Sequence, residues 1–189
     1  MIDKKGFTLI ELLAVITILG ILMLVAIPAV SRTIENARKN TFITTAQTYV
    51  QAVRNGWAAD EISCQIGSDL KVASALPSDN QYYYIPFDTD SGGGTAYNNA
   101  TSLIGDGGKS SWGTADVKGF VQVYVQKVAG TGTGGTDSIK LTYYVSMVDT
   151  GQHGITDITV PADQLTRAHV LVTGATAATP QGTECLVTG

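Results

Sequence analysis

Glu11 is the one charged side chain between Phe7 and Ile27. A carboxylate among aliphatic side chains is unfavourable unless a cation or a proton meets it. On insertion scales it costs about 2.5–3.5 kcal/mol near the centre of a membrane helix and less near an end. Lys4, Lys5 and Gly6 stand just ahead of the apolar run. Other side chains with reactive chemistry are sparse. Cys64 and Cys185 are the two cysteines, a small even count that fits one disulfide in an exported protein. His153 and His169 lack metal-ligand spacing. There is no Gly-x-Ser-x-Gly elbow and no phosphate loop, and neither Ser111 nor Ser146 has triad partners legible in sequence. No catalytic residue, metal ligand or cofactor is expected. Asp and Gly alternate over 88–94 and 105–108, like fragments of calcium loops. The closing bidentate Glu is absent, so surface loops are expected there. Asn99-Ala100-Thr101 fits the glycosylation sequon, a short match of low specificity.

The elements that carry these residues divide the chain. Residues 7–30 form an apolar run, and roughly 20 such residues span a bilayer core of about 30 Å. Lys4 and Lys5 predict a cytoplasmic N-terminus. Pro28 lacks an amide donor and Gly20 costs about 1 kcal/mol relative to Ala, so 20–28 is the weakest part of the helix. Over 31–57 the pattern turns amphipathic. Arg32, Glu35, Arg38, Lys39 and Asn40 make a wet face, and Phe42, Ala46, Val50, Val53 and Trp57 make one helical stripe. With Gly56 as a stop signal, a helix over about 7–56 would be roughly 75 Å long. Such a rod invites bundling with copies of itself.

Residues 58–189 read as a globular, β-rich domain. Tyr82-Tyr83-Tyr84-Ile85 predicts a short strand ending at Pro86. Val121, Val123 and Val125 alternate with polar residues, as do Ile139, Leu141, Tyr143, Val145 and Met147. The Gly/Thr-rich 129–137 joins them as a hairpin, and 155–160 and 170–172 can add strands. The fold class is α+β: a long N-terminal helix whose stripe is covered by a small antiparallel sheet. A net charge of −4 argues against a general nucleic-acid binder; Arg32, Arg38 and Lys39 read as a solvated face or lipid-headgroup contacts.

Lys4-Lys5-Gly6-Phe7-Thr8-Leu9-Ile10-Glu11, leading the apolar run and continuing to Gly20 and Pro28, resembles the class III signal of type IV prepilins and pseudopilins. The similarity covers roughly residues 1–57; 17–23 and 36–39 are similar in style to Gram-positive pilins. The resemblance implies a pilin: a structural filament subunit, inserted in the cytoplasmic membrane as a single-pass precursor. A membrane peptidase would cut between Gly6 and Phe7, removing a 1–6 leader, and methylate the Phe7 amine. Glu11 would meet the Phe7 amine of a neighbouring subunit and set the register of a helical homopolymer on the cell surface. Gly20 and Pro28 would mark local melting on assembly. The expected partners are other copies, the peptidase/methyltransferase, the assembly machinery and the membrane. Two alternatives stay open within membrane attachment: a pseudopilin of a secretion or DNA-uptake system, and a binding module on an uncleaved anchor. A secretory signal cleaved near Ala29 is disfavoured by the length of the apolar run. A Cys64–Cys185 bridge would pin the C-terminal tail to the base of the domain.

Overall fold

A computed structural model describes residues 8–77, 80–88, 103, 110–113, 116–130 and 136–187. The element order is α1 (Leu9–Ala58), β1 (Ile62–Ile66), β2 (Asp69–Val72), β3 (Gln81–Asp88), β4 (Val117–Val128), β5 (Ser138–Asp149), β6 (Gly154–Ile155), β7 (Val170–Leu171) and β8 (Thr183–Val187). Residues up to Arg38 and residues from Lys39 onward form separate units, and α1 runs through both.

In the first unit the helix is unbroken through Gly20 and Pro28. Pro28 supplies no N–H to the turn before it, and the Ser31 hydroxyl donates to the Ile27 carbonyl at 3.0 Å in the same stretch. A Cβ added at Gly20 would meet nothing within 4 Å, so no contact with the described residues calls for a glycine there. The side chains from Leu9 to Val30 are exposed on every face.

In the second unit the expected stripe is the buried one. Phe42, Ala46 and Val53 are fully buried, with Val50 and Trp57 nearly so. Ile43, Tyr49 and Ala52 widen it. Each large apolar side chain so buried contributes about 1.5–3 kcal/mol. Tyr49 stacks on Phe87 of β3 with ring centroids 4.1 Å apart, and Trp57 lies 5.8 Å from Tyr83. Gly56 does not end the helix. It sits inside it, where an added Cβ would lie 3.1 Å from Leu103. The stop comes at Asp60, whose left-handed φ of 56° lets the Glu61 N–H reach the Gly56 carbonyl at 2.9 Å. The Asp60 carboxylate then accepts the Ser74 N–H and hydroxyl, both at 2.8 Å.

The sheet has the order β2-β1-β8-β3-β4-β5-β6-β7. It is antiparallel except where β8 lies parallel to β3 at Tyr83 and Tyr84. The β4–β5 hairpin forms as the alternation predicts, with Val121 opposite Val145 and Val123 opposite Tyr143. Two expectations need correction. β3 continues through Pro86 to Asp88, because β8 pairs with it only at Tyr83 and Tyr84 and leaves Pro86 on an edge. The segments 155–160 and 170–172 contribute only the two-residue strands β6 and β7. Gln122 and Ser146, which alternate away from the helix, are buried as well. The chain returning toward β8 covers them: Gln122 accepts the Gln181 N–H and Ser146 accepts the Ala178 N–H, each at 3.0 Å.

Candidate functional site

The head of α1 is built by a local rule. A Thr followed three residues later by Glu closes a capping box, in which each side chain satisfies the other's backbone amide. The Glu11 N–H donates to Thr8 Oγ1 at 3.4 Å. In return the Thr8 N–H and the Thr8 hydroxyl both donate to Glu11 Oε2, each at 2.8 Å. The Leu12 N–H closes the first turn on the Thr8 carbonyl at 3.2 Å. Both contacts to the carboxylate fall on Oε2; among the described residues Oε1 has no partner. Thr8, whose role the sequence reading missed, was legible as the Thr-x-x-Glu spacing.

Gly6 and Phe7, the expected cleavage and methylation positions, lie outside the described residues, as do Lys4 and Lys5. From Leu9 onward the helix is, by length and composition, long and apolar enough to cross a membrane. A carboxylate capped at the end of such a helix, with one oxygen unpartnered among the described residues, can receive a further donor, such as an ammonium group.

Cys64 and Cys185 form the expected disulfide. They face each other in register across β1 and β8, with Cα atoms 4.1 Å apart, and both are fully buried. The bridge therefore ties the last strand to the first strand after α1.

His153 has partners that its sequence neighbourhood does not show. Its Nδ1 lies 3.0 Å from each oxygen of the buried Asp149. Its ring stacks on Trp112 with centroids 4.5 Å apart, and Trp112 meets Phe42 edge-on. The Ser110 hydroxyl also donates to Asp149. Because the serine hydroxyl is directed at the carboxylate rather than at the imidazole, no nucleophile–base pair forms. The cluster holds residues 110–113 against the turn after β5. His169 caps a short turn, where its Nδ1 accepts the Thr166 N–H at 3.0 Å. Ser146 is buried and hydrogen-bonded to the main chain. Among the described residues no group of His, Cys, Asp and Glu could hold a metal ion. Most of 88–94, all of 105–108 and the Asn99 sequon lie outside the described residues.

Comparison with known proteins agrees with the head of α1. Residues 1–27 match the prokaryotic N-terminal methylation motif. Two curated relatives, each a "Fimbrial protein" of Pseudomonas aeruginosa, are 39% identical over 79 residues. That match covers 42% of this chain and 46% of each relative, so the chain spans about half the length of the curated relatives it matches. No solved structure matches the chain.

Proposed function

We propose that this chain, whose N-terminal segment belongs to the type IV pilin and prepilin-like family, is a structural subunit of a type IV pilus. The observation that carries this reading is the methylation motif running directly into a capped, uninterrupted apolar helix. A secretory signal would be discarded; this segment is instead the polymerising part of the mature protein. Residues 1–6 are the leader. Cleavage after Gly6 frees the Phe7 amine, which is methylated by the same enzyme. The helix over 7–30 holds the precursor in the cytoplasmic membrane, with Lys4 and Lys5 on the cytoplasmic side.

In the filament the Phe7 amine of one subunit lies beside Glu11 of another. Pairing removes an unneutralised charge from apolar surroundings and fixes the axial register. The open Oε1 supports this role, because capping leaves that oxygen free among the described residues. Gly20 and Pro28 supply the stretch where the helix melts as subunits pack. The remainder of the chain, 31–189, presents the amphipathic helix and the sheet domain along the filament.

Two measurements test the proposal. Intact mass and N-terminal peptide mass spectrometry should show a chain starting at Phe7 with one added methyl group. A chain starting at Met1 would mean an anchor, and one starting at Ser31 a secreted protein. Microscopy of material sheared from cells should then show filaments containing this chain. A methylated chain without filaments would point to a pseudopilin.

A further inference from the structure

The last strands of the sheet leave an edge open beside a groove. β6 pairs with β5 only at Met147 and Val148, so β5 has no strand neighbour on that side from Ser138 to Ser146 among the described residues. The direction of its backbone groups follows from one hydrogen bond. The Asp149 N–H donates to the His153 carbonyl across this edge at 2.9 Å. In an antiparallel strand the N–H and C=O of one residue point to the same side, and the side alternates. Leu141 and Tyr143 therefore direct both groups to the open edge. Neither residue has a hydrogen-bond partner there among the described residues.

That edge forms one wall of an open groove of about 660 Å³, lined by four successive strand residues, Lys140 to Tyr143. Thr44, Thr48 and Gln51 of α1 form the facing wall, and Pro161 to Gln164 close one side. The Thr44 and Thr48 hydroxyls donate to the helix carbonyls of Asn40 and Thr44, at 3.1 and 2.9 Å, which leaves their oxygens as acceptors. Two cations also line the groove. The Arg54 guanidinium lies 5.0 Å above the Tyr143 ring, and Lys140 is exposed. Neither makes an ion pair with a described residue, and among the described residues Asp163 is the only carboxylate in the lining. In a chain of net charge −4 this is a local excess of positive charge.

We infer that the groove takes an extended, acidic peptide segment of another protein, added as a strand to the open edge of β5. Main-chain bonds to Leu141 and Tyr143 supply affinity, and carboxylates meeting Arg54 and Lys140 supply selectivity. Successive residues of the added strand project to opposite faces. One carboxylate can thus meet Arg54, on the Tyr143 face, while its neighbour meets Lys140 on the other. A second copy joined symmetrically through β5 fits poorly, since it would bring two Arg54–Lys140 pairs together.

The probe is acetyl-Thr-Val-Glu-Glu-Val-Thr-amide, titrated into the full chain in detergent micelles, beside the same peptide with Gln for both Glu. The acidic peptide should bind at least about tenfold more tightly, and hydrogen exchange at the Leu141 and Tyr143 amides should slow by at least about tenfold. Arg54→Gln with Lys140→Gln should remove the preference between the two peptides. Leu141→Pro should abolish binding while keeping the β4 ladder, because the lost N–H faces the open edge. The exchange measurement on the unaltered chain decides the matter if that variant does not fold. Absence of binding, equal binding of both peptides, unchanged exchange at Leu141 and Tyr143, or full binding by folded Leu141→Pro would each overturn the inference. So would saturable binding of trigalacturonate at the groove in place of the peptide, or dimers joined through β5.

Discussion

Glu11 forms the helix cap and carries a second role in the proposed filament, and substitution can separate the two. One is the cap, in which Oε2 accepts the Thr8 N–H and hydroxyl. The other is the proposed pairing of its charge with a neighbour's Phe7 amine. Thr8→Ala removes the N-cap and leaves the carboxylate; such losses cost about 1 kcal/mol. Glu11→Gln keeps an acceptor at the third helical position, which the capping box accepts, and removes the charge. Glu11→Ala removes both. Leaving one partner of a buried ion pair alone costs about 3–5 kcal/mol. At about 1.4 kcal/mol per factor of ten, that is roughly 10²- to 10³-fold or more in each subunit-addition constant. The cap alone accounts for about fivefold. Each variant is expressed as the sole copy, with processing followed by mass and filaments by shearing and microscopy. All three should be inserted and processed normally. Glu11→Ala and Glu11→Gln should yield no filaments, while Thr8→Ala should still assemble. Normal filaments from Glu11→Gln would refute charge pairing, and failure of Thr8→Ala alone would assign the role to the cap.

Three further outcomes follow from the sheet domain. Cys64→Ser with Cys185→Ser opens a cross-link over 121 residues of sequence separation, worth up to about 5 kcal/mol in the chain-entropy model; hydrogen exchange should rise first in β1, β2 and β8, and two reactive thiols in unreduced, denatured native protein would remove the premise. Asp149→Ala leaves the Ser110 hydroxyl and the His153 N–H groups without their acceptor, at about 1–3 kcal/mol for each donor that stays buried; a thermal melt unchanged within a degree would contradict the role given to this cluster. The Asp157 carboxylate is held below its ordinary value of 3.8 by the Thr159 hydroxyl, then by the Thr159 N–H. Its stabilising contribution is complete above the unfolded-state value and fades as pH falls through the lower folded one. Melting temperatures of the native chain and Asp157→Asn should therefore differ slightly above the ordinary carboxylate range and converge as pH falls through the lowered folded value.

The long helix was legible because composition and period both point to it, and the stripe from Phe42 to Trp57 is buried as its spacing requires. The β4–β5 hairpin was legible for the same reason. What escaped is non-local. β8 has a short alternating pattern that gains meaning only when Cys185 lies opposite Cys64 and Thr183 beside Tyr83. Gln122 and Ser146 alternate with the apolar positions, and only the returning chain near 178–181 supplies their partners. Gly182 shows how tight that return is. Its φ is 88°, and an added Cβ would lie against the Tyr82 carbonyl, so the crossing needs a residue without a side chain. His153 finds Asp149 four residues away, yet the Trp112 that stacks on it comes from a distant loop. At the head of α1 the signal was local, and Thr8 could have been named from Thr-x-x-Glu alone.

The capping geometry also bears on why a carboxylate is tolerated in a segment long and apolar enough to cross a membrane. An unpaired Glu would oppose insertion, and a fully satisfied one would have nothing left to give a neighbour. In this chain one oxygen satisfies two donors at the helix start, where four backbone amides lack intrahelical acceptors. Negative charge is also favoured at that end by the helix dipole. In the proposed precursor Glu11 would therefore carry part of its compensation into the membrane with it. The other oxygen retains its capacity for a charge-assisted bond. Moving the carboxylate one residue further along the helix would break the Thr8 spacing and leave both oxygens in apolar surroundings. In the proposed filament, the position of Glu11, three residues after Thr8 and four after Phe7, would reconcile an insertable subunit with one that can still recruit a cation when it meets a copy of itself.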